Sequence, residues 1–521
     1  MGACCDKEHR LPDADIQNNL VRFQCNHFND IYEIVGEPLG TGAISTIHKI
    51  RKKESAIGGS SQLEFVKLTK KRRRIKQYSS FKRIQEKKET PETSYYALKE
   101  IDIGRVNGDR AMLLIRNEVE ILKSLDHPSI LKAFETFQVD HRLAIVMELC
   151  RGGDLSKRRP YSERQAAIII RQVLSAVSYM HHRSYLHRDL KIENILFQSE
   201  DPQDWRVKII DFGLSVTYEQ AYSLREKAGT LYTVAPEVLK EGTFSDKNDI
   251  WAVGIITYLL ISGDRPFRGE PPQKMARNIL KAKLVFDSPV WERRSPECKE
   301  FITVLLERDP KLRLNAEAAF KSPWLLQHKD ESHSSATEAI LESIRESLIR
   351  YSEQNDFRRL ALNVMAKRLN SDDVKELRDV FLRIDEGNDG HLTMEDLKRA
   401  LQRGDAAENH VSDVEIESIF RKLDLNCDSL ISWTEFVAGT LEGRGTIDQH
   451  RLADTFDCLD WDDSGKISKE DLRRILGKQY SEAYVNKLIG EADINHNGKI
   501  SYIEFRRAFA AKQATAIEFA L

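Results

Sequence analysis

His187-Arg-Asp-Leu-Lys-Ile-Glu-Asn194 is the stretch on which the reading of this chain turns. It sets a carboxylate, an ammonium and a carboxamide in one short loop, at Asp189, Lys191 and Asn194. Asp189 can orient a hydroxyl and accept its proton, Lys191 can steady a phosphoryl group, and Asn194 can hold a metal ion. Downstream, Asp211-Phe-Gly213 follows Val207-Lys-Ile-Ile, a buried-strand pattern, and offers Asp211 as a ligand for a Mg²⁺ that bridges phosphates. Ala235-Pro-Glu237 closes the segment that begins there. Upstream, Leu39-Gly-Thr-Gly-Ala-Ile-Ser-Thr-Ile47 follows a strand-like run, and Gly40 and Gly42 let the backbone lie close over phosphates. Tyr96-Ala-Leu-Lys99 ends a strand with a lysine suited to the α- and β-phosphates. Glu118 is best placed to hold that lysine straight, with Glu120 as the alternative.

Each triplet alone is common. Together, in this order and at these intervals, they resemble the eukaryotic protein kinases over roughly residues 32–326. The resemblance implies an α+β fold of two lobes with ATP in the cleft between them. It implies Met147 as gatekeeper and Glu148 to Cys150 as the hinge whose backbone pairs with adenine. Ile47, Ala97 and Leu196 would sandwich the ring. Lys191 inside the loop is the Ser/Thr-kinase pattern, Arg313 the implied partner of Glu237, and Asp249 the implied brace of the catalytic loop. Ile192 replaces a usual proline, Ser45 a usual glycine, and Thr233 a frequent tyrosine. Asp154 can bond the ribose or a basic substrate residue, which gives an expected preference for basic residues upstream of the phosphoacceptor.

From Val374 onward an apolar helix, acidic loop, apolar helix unit recurs four times. A calcium loop needs oxygen ligands at positions 1, 3 and 5, a carbonyl at 7, a bidentate Glu at 12 and a tight turn at 6. The fourth loop supplies Asp493, Asn495, Asn497, Gly498, Lys499 and Glu504, a full match. The second supplies Asp424, Asn426, Asp428, Leu430 and Glu435, with Ser429 at the glycine position. The third supplies Asp460, Asp462, Ser464, Lys466 and Asp471; the first supplies Asp385, Asp389, His391 and Asp396, with Gly387 at position 3. Both end in aspartate, one methylene short, so weaker Ca²⁺ sites are expected, the first weakest. Two EF-hand lobes follow, at 373–443 and 446–511.

A kinase domain at 31–326, a helical junction at 327–372 and four EF-hands resemble the calcium-dependent protein kinases of plants and alveolate protists. The resemblance implies ATP, Mg²⁺ and Ca²⁺ as cofactors and an intramolecular switch. Without Ca²⁺ the junction would occlude the cleft, with Arg345, Arg350, Arg358 or Arg359 mimicking a basic substrate. With Ca²⁺ the EF-hand lobes would capture it, through Ile344, Leu348, Leu360, Leu362, Val364 and Met365 as candidate anchors. The competing readings are a calcium-regulated pseudokinase, a calcium buffer and a kinase served by separate calmodulin. Lys99, Asp189, Asn194 and Asp211 weigh against the first, the aspartate-ended loops against the second, and the built-in EF-hands against need of the third.

Composition agrees. Of 521 residues, 41% are hydrophobic and 31% charged, enough for several packed cores. The net charge of −2 hides a split: residues 371–521 carry 31 acidic and 20 basic side chains, a net of −11, leaving +9 before them. An acidic C-terminal part points to cations or basic partners and not to nucleic acid. Seven scattered cysteines fit a reduced, cytoplasmic protein. The longest apolar run, about 250–261, is too short to span a bilayer. Residues 1–30 read as a polar leader in which Gly2, Cys4 and Cys5 are acylation candidates, although Asp6 departs from the myristoylation pattern, and dual acylation would attach the chain peripherally to a membrane. An insertion at 51–94 carries a basic run around Lys70 to Lys76. Such a run is usually a solvated loop and less often a nuclear address.

Overall fold

The computed structural model describes residues 22–25, 28–42, 44–53, 95–106, 108–139, 141–223, 228–328, 334–402, 411–442, 447–477 and 480–510. Gly2, Cys4, Cys5 and the basic run lie outside them.

The N-terminal lobe is a sheet built from β1 (Arg22–Cys25), β2 (Tyr32–Ile34), β3 (Gly40–Thr41), β4 (Ser45–Lys52), β5 (Tyr95–Asp102), β6 (Ala133–Val139) and β7 (Arg142–Glu148). The order is β1-β6-β7-β5-β4-β2, with β3 on β4. The insertion is thus a connection within one antiparallel pair, since Ile47 still faces Lys99 and Ile50 faces Tyr96. One expectation needs correction. The sequence reads as a leader up to residue 30, yet Arg22–Cys25 pairs in parallel with β6, Arg22 opposite Glu135. Phe28 then packs edge-on to Phe137 and joins Tyr32, Ile50, Tyr96 and Phe134 in a small aromatic core. Helix α1 (Asp109–Ser124) lies against this lobe and carries Glu118.

The second lobe is helical. α2 (Glu163–His182) starts at a capping box between Ser162 and Gln165, and α3 (Asp246–Ser262) at one between Ser245 and Asn248. α3 is apolar on all sides and nearly all buried, which explains the longest apolar run as a core helix. It stops at Gly263, whose φ of 78° is the left-handed conformation a helix end favours.

The C-terminal body contains α4 (Ser334–Ser352), α5 (Asp356–Arg368), α6 (Lys375–Ile384), α7 (Met394–Gln402), α8 (Asp413–Leu423), α9 (Trp433–Thr440), α10 (Gln449–Leu459), α11 (Lys469–Leu476), α12 (Glu482–Ala492) and α13 (Tyr502–Ala510). Here the junction is not a separate segment. Ile344, Leu348, Leu360, Leu362, Val364 and Met365 sit in one buried cluster with Phe381, Phe436, Phe456 and Phe505 from the EF-hand helices. The junction arginines pair inside this body: Arg345 with Glu342, Arg350 with Glu346, Arg358 with Glu442 and Arg359 with Asp356. The candidate anchors thus lie in the EF-hand core, and the junction's ion pairs with the kinase among the described residues join Lys367 to Asp126, Arg368 to Glu135, Asp372 to Arg151 and Arg206, and His328 to Glu163.

Candidate active site and calcium loops

Lys99 on β5 reaches Glu118 on α1 and lies 3.4 Å from Asp211, so one ammonium ties the sheet and helix of the N-terminal lobe to the Asp-Phe-Gly segment. Glu118 is thereby selected over Glu120. Burial alone would lower Lys99, but Glu118 and then Asp211 outweigh it and hold its pKa above the ordinary value. Burial would raise Asp211, yet Lys99 keeps it below the usual carboxylate range, and it stays ionised and available to a cation.

The catalytic loop is over-determined. Asp249 at the start of α3 accepts the backbone N–H groups of His187 and Arg188, each at 3.0 Å, and contacts His181 Nε2 at 2.9 Å. These bonds support the positive φ of Arg188 (68°), a conformation with a steric cost, which Asp211 farther on also adopts (64°). Asp189 Oδ1 accepts from Thr230 Oγ1 at 2.7 Å, while Lys191 Nζ lies 2.6 Å from Asp189 Oδ2 and 3.1 Å from Thr230 Oγ1. Asn194 Nδ2 donates to the Asp189 carbonyl at 2.9 Å, which leaves its amide oxygen for a metal. A hydroxyl entering beside Asp189 therefore meets a carboxylate, an ammonium and a Thr230 hydroxyl already in one network. Arg313 grips Glu237 with two nitrogens, at 2.7 and 3.0 Å, and anchors the end of the segment.

Around the nucleotide cleft, Gly40 pairs with Ile47, Ala97 with Met147, and Asp154 bridges to Leu196. Leu39 is exposed and Gly42 donates to the Ser45 carbonyl, so the loop is closed by its own backbone. Burial pushes the Cys150 thiol up and keeps it neutral. The Asp154 carboxylate caps the Ser156 N–H at 2.7 Å. Glu148 turns its side chain away from the cleft, accepting from Lys132 N at 2.8 Å, Lys208 Nζ at 2.8 Å and Ser371 Oγ at 2.5 Å.

The calcium loops share one backbone design. Position 4 is left-handed in all four (Asn388 50°, Cys427 58°, Asp463 52°, His496 56°), and so is position 6 (Gly390 78°, Ser429 65°, Gly465 82°, Gly498 80°). Position 1 accepts the N–H of position 6 each time, from 2.7 to 2.9 Å. Ser429 thus takes the turn without glycine, at a strain cost and with no ligand lost. The loops couple in pairs through Leu392 with Ile431 and through Lys466–Ile467 with Ile500–Ser501. Oxygens of Asp460, Asp462 and Asp471 lie within 4.8 Å of one another. Burial pushes Asp385 up to about 7, Glu435 to about 8 and Asp460 to about 6. Carboxylates held together under that stress, on a turn built to converge oxygens, suit a hard divalent cation.

Position 12 separates the loops. Glu435 spans its loop to accept from Leu425 N at 2.8 Å, and Glu504 spans its own to accept from Ile494 N at 3.1 Å. Asp471 and Asp396 accept instead from Ser468 N and Thr393 N of their own turns, at 2.7 and 3.0 Å. The missing methylene shows as missing reach. In loop 1 Arg399 Nη2 also donates to Asp396 at 3.2 Å. The same loop is packed on the kinase: His391 lies against Tyr179 with ring centres 5.0 Å apart, and a side chain at Gly390 would sit 2.7 Å from His127 and Tyr179.

Sequence reasoning missed this seam between the two bodies. Lys52 pairs with Asp454 at 2.7 Å, Glu135 with Arg368 at 2.8 Å, and Asp126 holds Thr434 through two bonds. No local pattern marks such contacts.

Comparison with known proteins follows the same division. The protein kinase domain family model matches residues 77–325, and the EF-hand domain pair model matches 374–441 and 449–510. The kinase match begins downstream of β1, β2, β3 and β4, which belong to the same sheet. The chain is 33% identical over 426 residues to calcium-dependent protein kinase 4 of Plasmodium berghei (strain Anka), covering 79% of this chain and 80% of the relative. It is 31% identical over 427 residues to calcium-dependent protein kinase 7 of Arabidopsis thaliana, covering 80% of this chain and 78% of the relative.

Proposed function

The chain belongs to the calcium-dependent protein kinase family, and from that premise we infer how its own residues divide the work. It is a calcium-activated Ser/Thr protein kinase that transfers the γ-phosphate of ATP to protein hydroxyls. The observation that carries this reading is the joining of Lys99, Glu118 and Asp211 in the same cleft as the Asp189–Lys191–Thr230 network.

Asp189 orients the substrate hydroxyl and takes its proton. Lys191 steadies the phosphoryl group in transfer, and Lys99 aligns the α- and β-phosphates. Asp211 and Asn194 would hold Mg²⁺, which when bound neutralises charge on the phosphates. Loops 2 and 4 are the principal Ca²⁺ sites, loop 3 a weaker one and loop 1 the weakest. In the off state the junction leaves the EF-hand core for the cleft, and Ca²⁺ returns it to the arrangement seen here. Asp154 favours a basic residue upstream of the acceptor. Acylated Gly2, Cys4 and Cys5 hold the cytoplasmic chain at a membrane, which metabolic labelling with myristate and palmitate tests.

The decisive experiment is transfer from ATP·Mg²⁺ to a basic Ser/Thr peptide by the purified full chain, in chelator and in free Ca²⁺, with Asp211→Asn as blank. Activity only with Ca²⁺ and absent from the blank is expected. Equal activity in both conditions removes the switch, and none in either removes catalysis.

A further inference from the structure

We propose that the second calcium site is completed by the kinase domain, with Asp126 as a positioning residue for the calcium ligand Glu435. The proposal rests on the reading of loop 2 as a Ca²⁺ site.

Asp126 follows α1, in the segment that leads to β6, and is only 3% exposed. Its Oδ2 accepts the Thr434 backbone N–H at 2.8 Å and its Oδ1 accepts the Thr434 hydroxyl at 2.9 Å. Thr434 is position 11 of loop 2 and the second residue of α9, which begins at Trp433 with Ser432 as N-cap. A helix leaves its first N–H groups without internal partners, and here two chains of logic satisfy them. Ser432 and Glu435 cap each other, and Asp126 caps Thr434 from the other domain. Lys367 Nζ lies 3.8 Å from Asp126 Oδ1 on the junction side. Burial would raise Asp126, but Lys367, Lys132 and the Thr434 bonds hold it low, so it stays an anion and a strong acceptor.

Loop 2 is alone in this among the described residues. The residues at position 11 elsewhere are Glu395 and Glu470, whose side chains are 68% and 71% exposed, and Ile503, also exposed. Thr434 is 4% exposed.

The consequence concerns the very next residue. Glu435 now spends its oxygens on Leu425 N, Ser432 N and Ser432 Oγ. To turn both oxygens to an ion it must release these bonds and open its half of the capping box. The Asp126 bonds do not depend on Glu435, so they keep the first turn of α9 formed while Glu435 swings. Docking of the regulatory body and Ca²⁺ binding at loop 2 then share one coupling free energy, and each strengthens the other by the same factor.

The test is calcium calorimetry on the full chain with Asp126→Ala, Thr434→Val and the double variant, neither residue belonging to the catalytic network. Glu435→Gln identifies which binding step is loop 2. Hydrogen exchange at α9 in chelator supplies a second readout. Asp126→Ala removes both bonds and is expected to weaken the loop 2 step about tenfold, leave the loop 4 step in place, and speed exchange at the start of α9; Thr434→Val removes only the hydroxyl bond and should do the same to a smaller extent. The double variant should weaken the step no more than Asp126→Ala alone. Unchanged affinity, or effects that simply multiply, would overturn the role of Asp126. Should Asp126→Ala not fold, Thr434→Val decides from the EF-hand side. A parent chain in which Glu435→Gln removes no binding step overturns the reading of loop 2 itself, a separate failure.

Discussion

The catalytic cleft and the calcium loops both crowd carboxylates together, and they resolve the crowding in opposite ways. In the cleft each acid has a cation: Lys99 for Glu118 and Asp211, Lys191 for Asp189. In the loops the acids have mainly backbone N–H groups, and burial drives Asp385, Glu435 and Asp460 upward. The cleft is electrostatically balanced by the chain itself, whereas the loops are balanced only by what they bind. That difference assigns catalysis to one region and sensing to the other. Loop 1 lies between, since Arg399 supplies Asp396 with a cation and the loop doubles as a docking surface.

The harshest way to break the comparison is to remove the balancing cation from the cleft. Lys99→Met leaves two acids facing one another and is expected to lower kcat by about 10²- to 10³-fold, as loss of one preorganised charge does. Calcium binding should be untouched, because Lys99 is far in sequence and contact from any loop. Peptide phosphorylation and a calcium titration on the same preparation read both. A variant that kept more than a tenth of the parent kcat would show that Glu118 and Asp211 hold their places without it.

The loops answer to the opposite change. Glu435→Gln removes a ligand that spans its loop, and the half-activating Ca²⁺ concentration should rise about tenfold. Asp396→Asn removes one already short of reach and paired with Arg399, so a rise under about twofold is expected. Equal shifts in the two would erase the distinction between sensing loops and the docking loop.

How much of this lies on the surface of the sequence depends on contact range. The catalytic motifs and the calcium loops are local strings in which chemistry fixes the residue types, so Asp189, Asp211, Glu435 and Glu504 declare themselves. The choice of Glu118 over Glu120 is settled only by the contact with Lys99. The strand at Arg22–Cys25 alternates polar and apolar residues, but four residues are too short a run to set it apart, and the sheet edge of β6 organises it. The seam between the bodies is less visible still. Asp126 and Thr434 stand 308 positions apart, and Glu148 and Ser371 stand 223 apart. Each of those side chains is ordinary, and only the tertiary fold makes it specific.

Lys132 offers a test of the seam through pH. It is half-buried between the bodies, donates to the Ala366 carbonyl at 3.1 Å, and is lowered by desolvation and by Lys367 to about 7. Undocked and solvated, a lysine titrates near 10.4. The docked arrangement therefore binds fewer protons, and docking strengthens as pH rises from about 7 toward that value, by up to about tenfold per unit for one proton. Below about 7 this contribution is flat. Half-activating Ca²⁺ should fall between pH 7 and 8.5 more steeply in the parent than in Lys132→Met, where loop acids still titrate but this proton is gone. Identical slopes would remove Lys132 from the coupling.

The smallest effect expected is also the most local. Tyr480, in the second EF-hand lobe, donates its hydroxyl to the Leu425 carbonyl at 2.7 Å, while the Leu425 N–H is the group that Glu435 spans its loop to reach. Both backbone groups of Leu425 are therefore held, its N–H by position 12 of its own loop and its C=O by the other lobe. Tyr480 stacks on Tyr484, with ring centres 5.4 Å apart, so its ring is fixed by packing and not by the hydroxyl alone. Tyr480→Phe keeps that packing and removes one neutral hydrogen bond, worth about 1 kcal/mol. If the lobes communicate through Leu425, the steepness of the calcium titration should fall while its midpoint moves by less than about fivefold. A titration as steep as the parent's would leave the two lobes coupled only through the junction helices they share, and would make α5 the next place to cut.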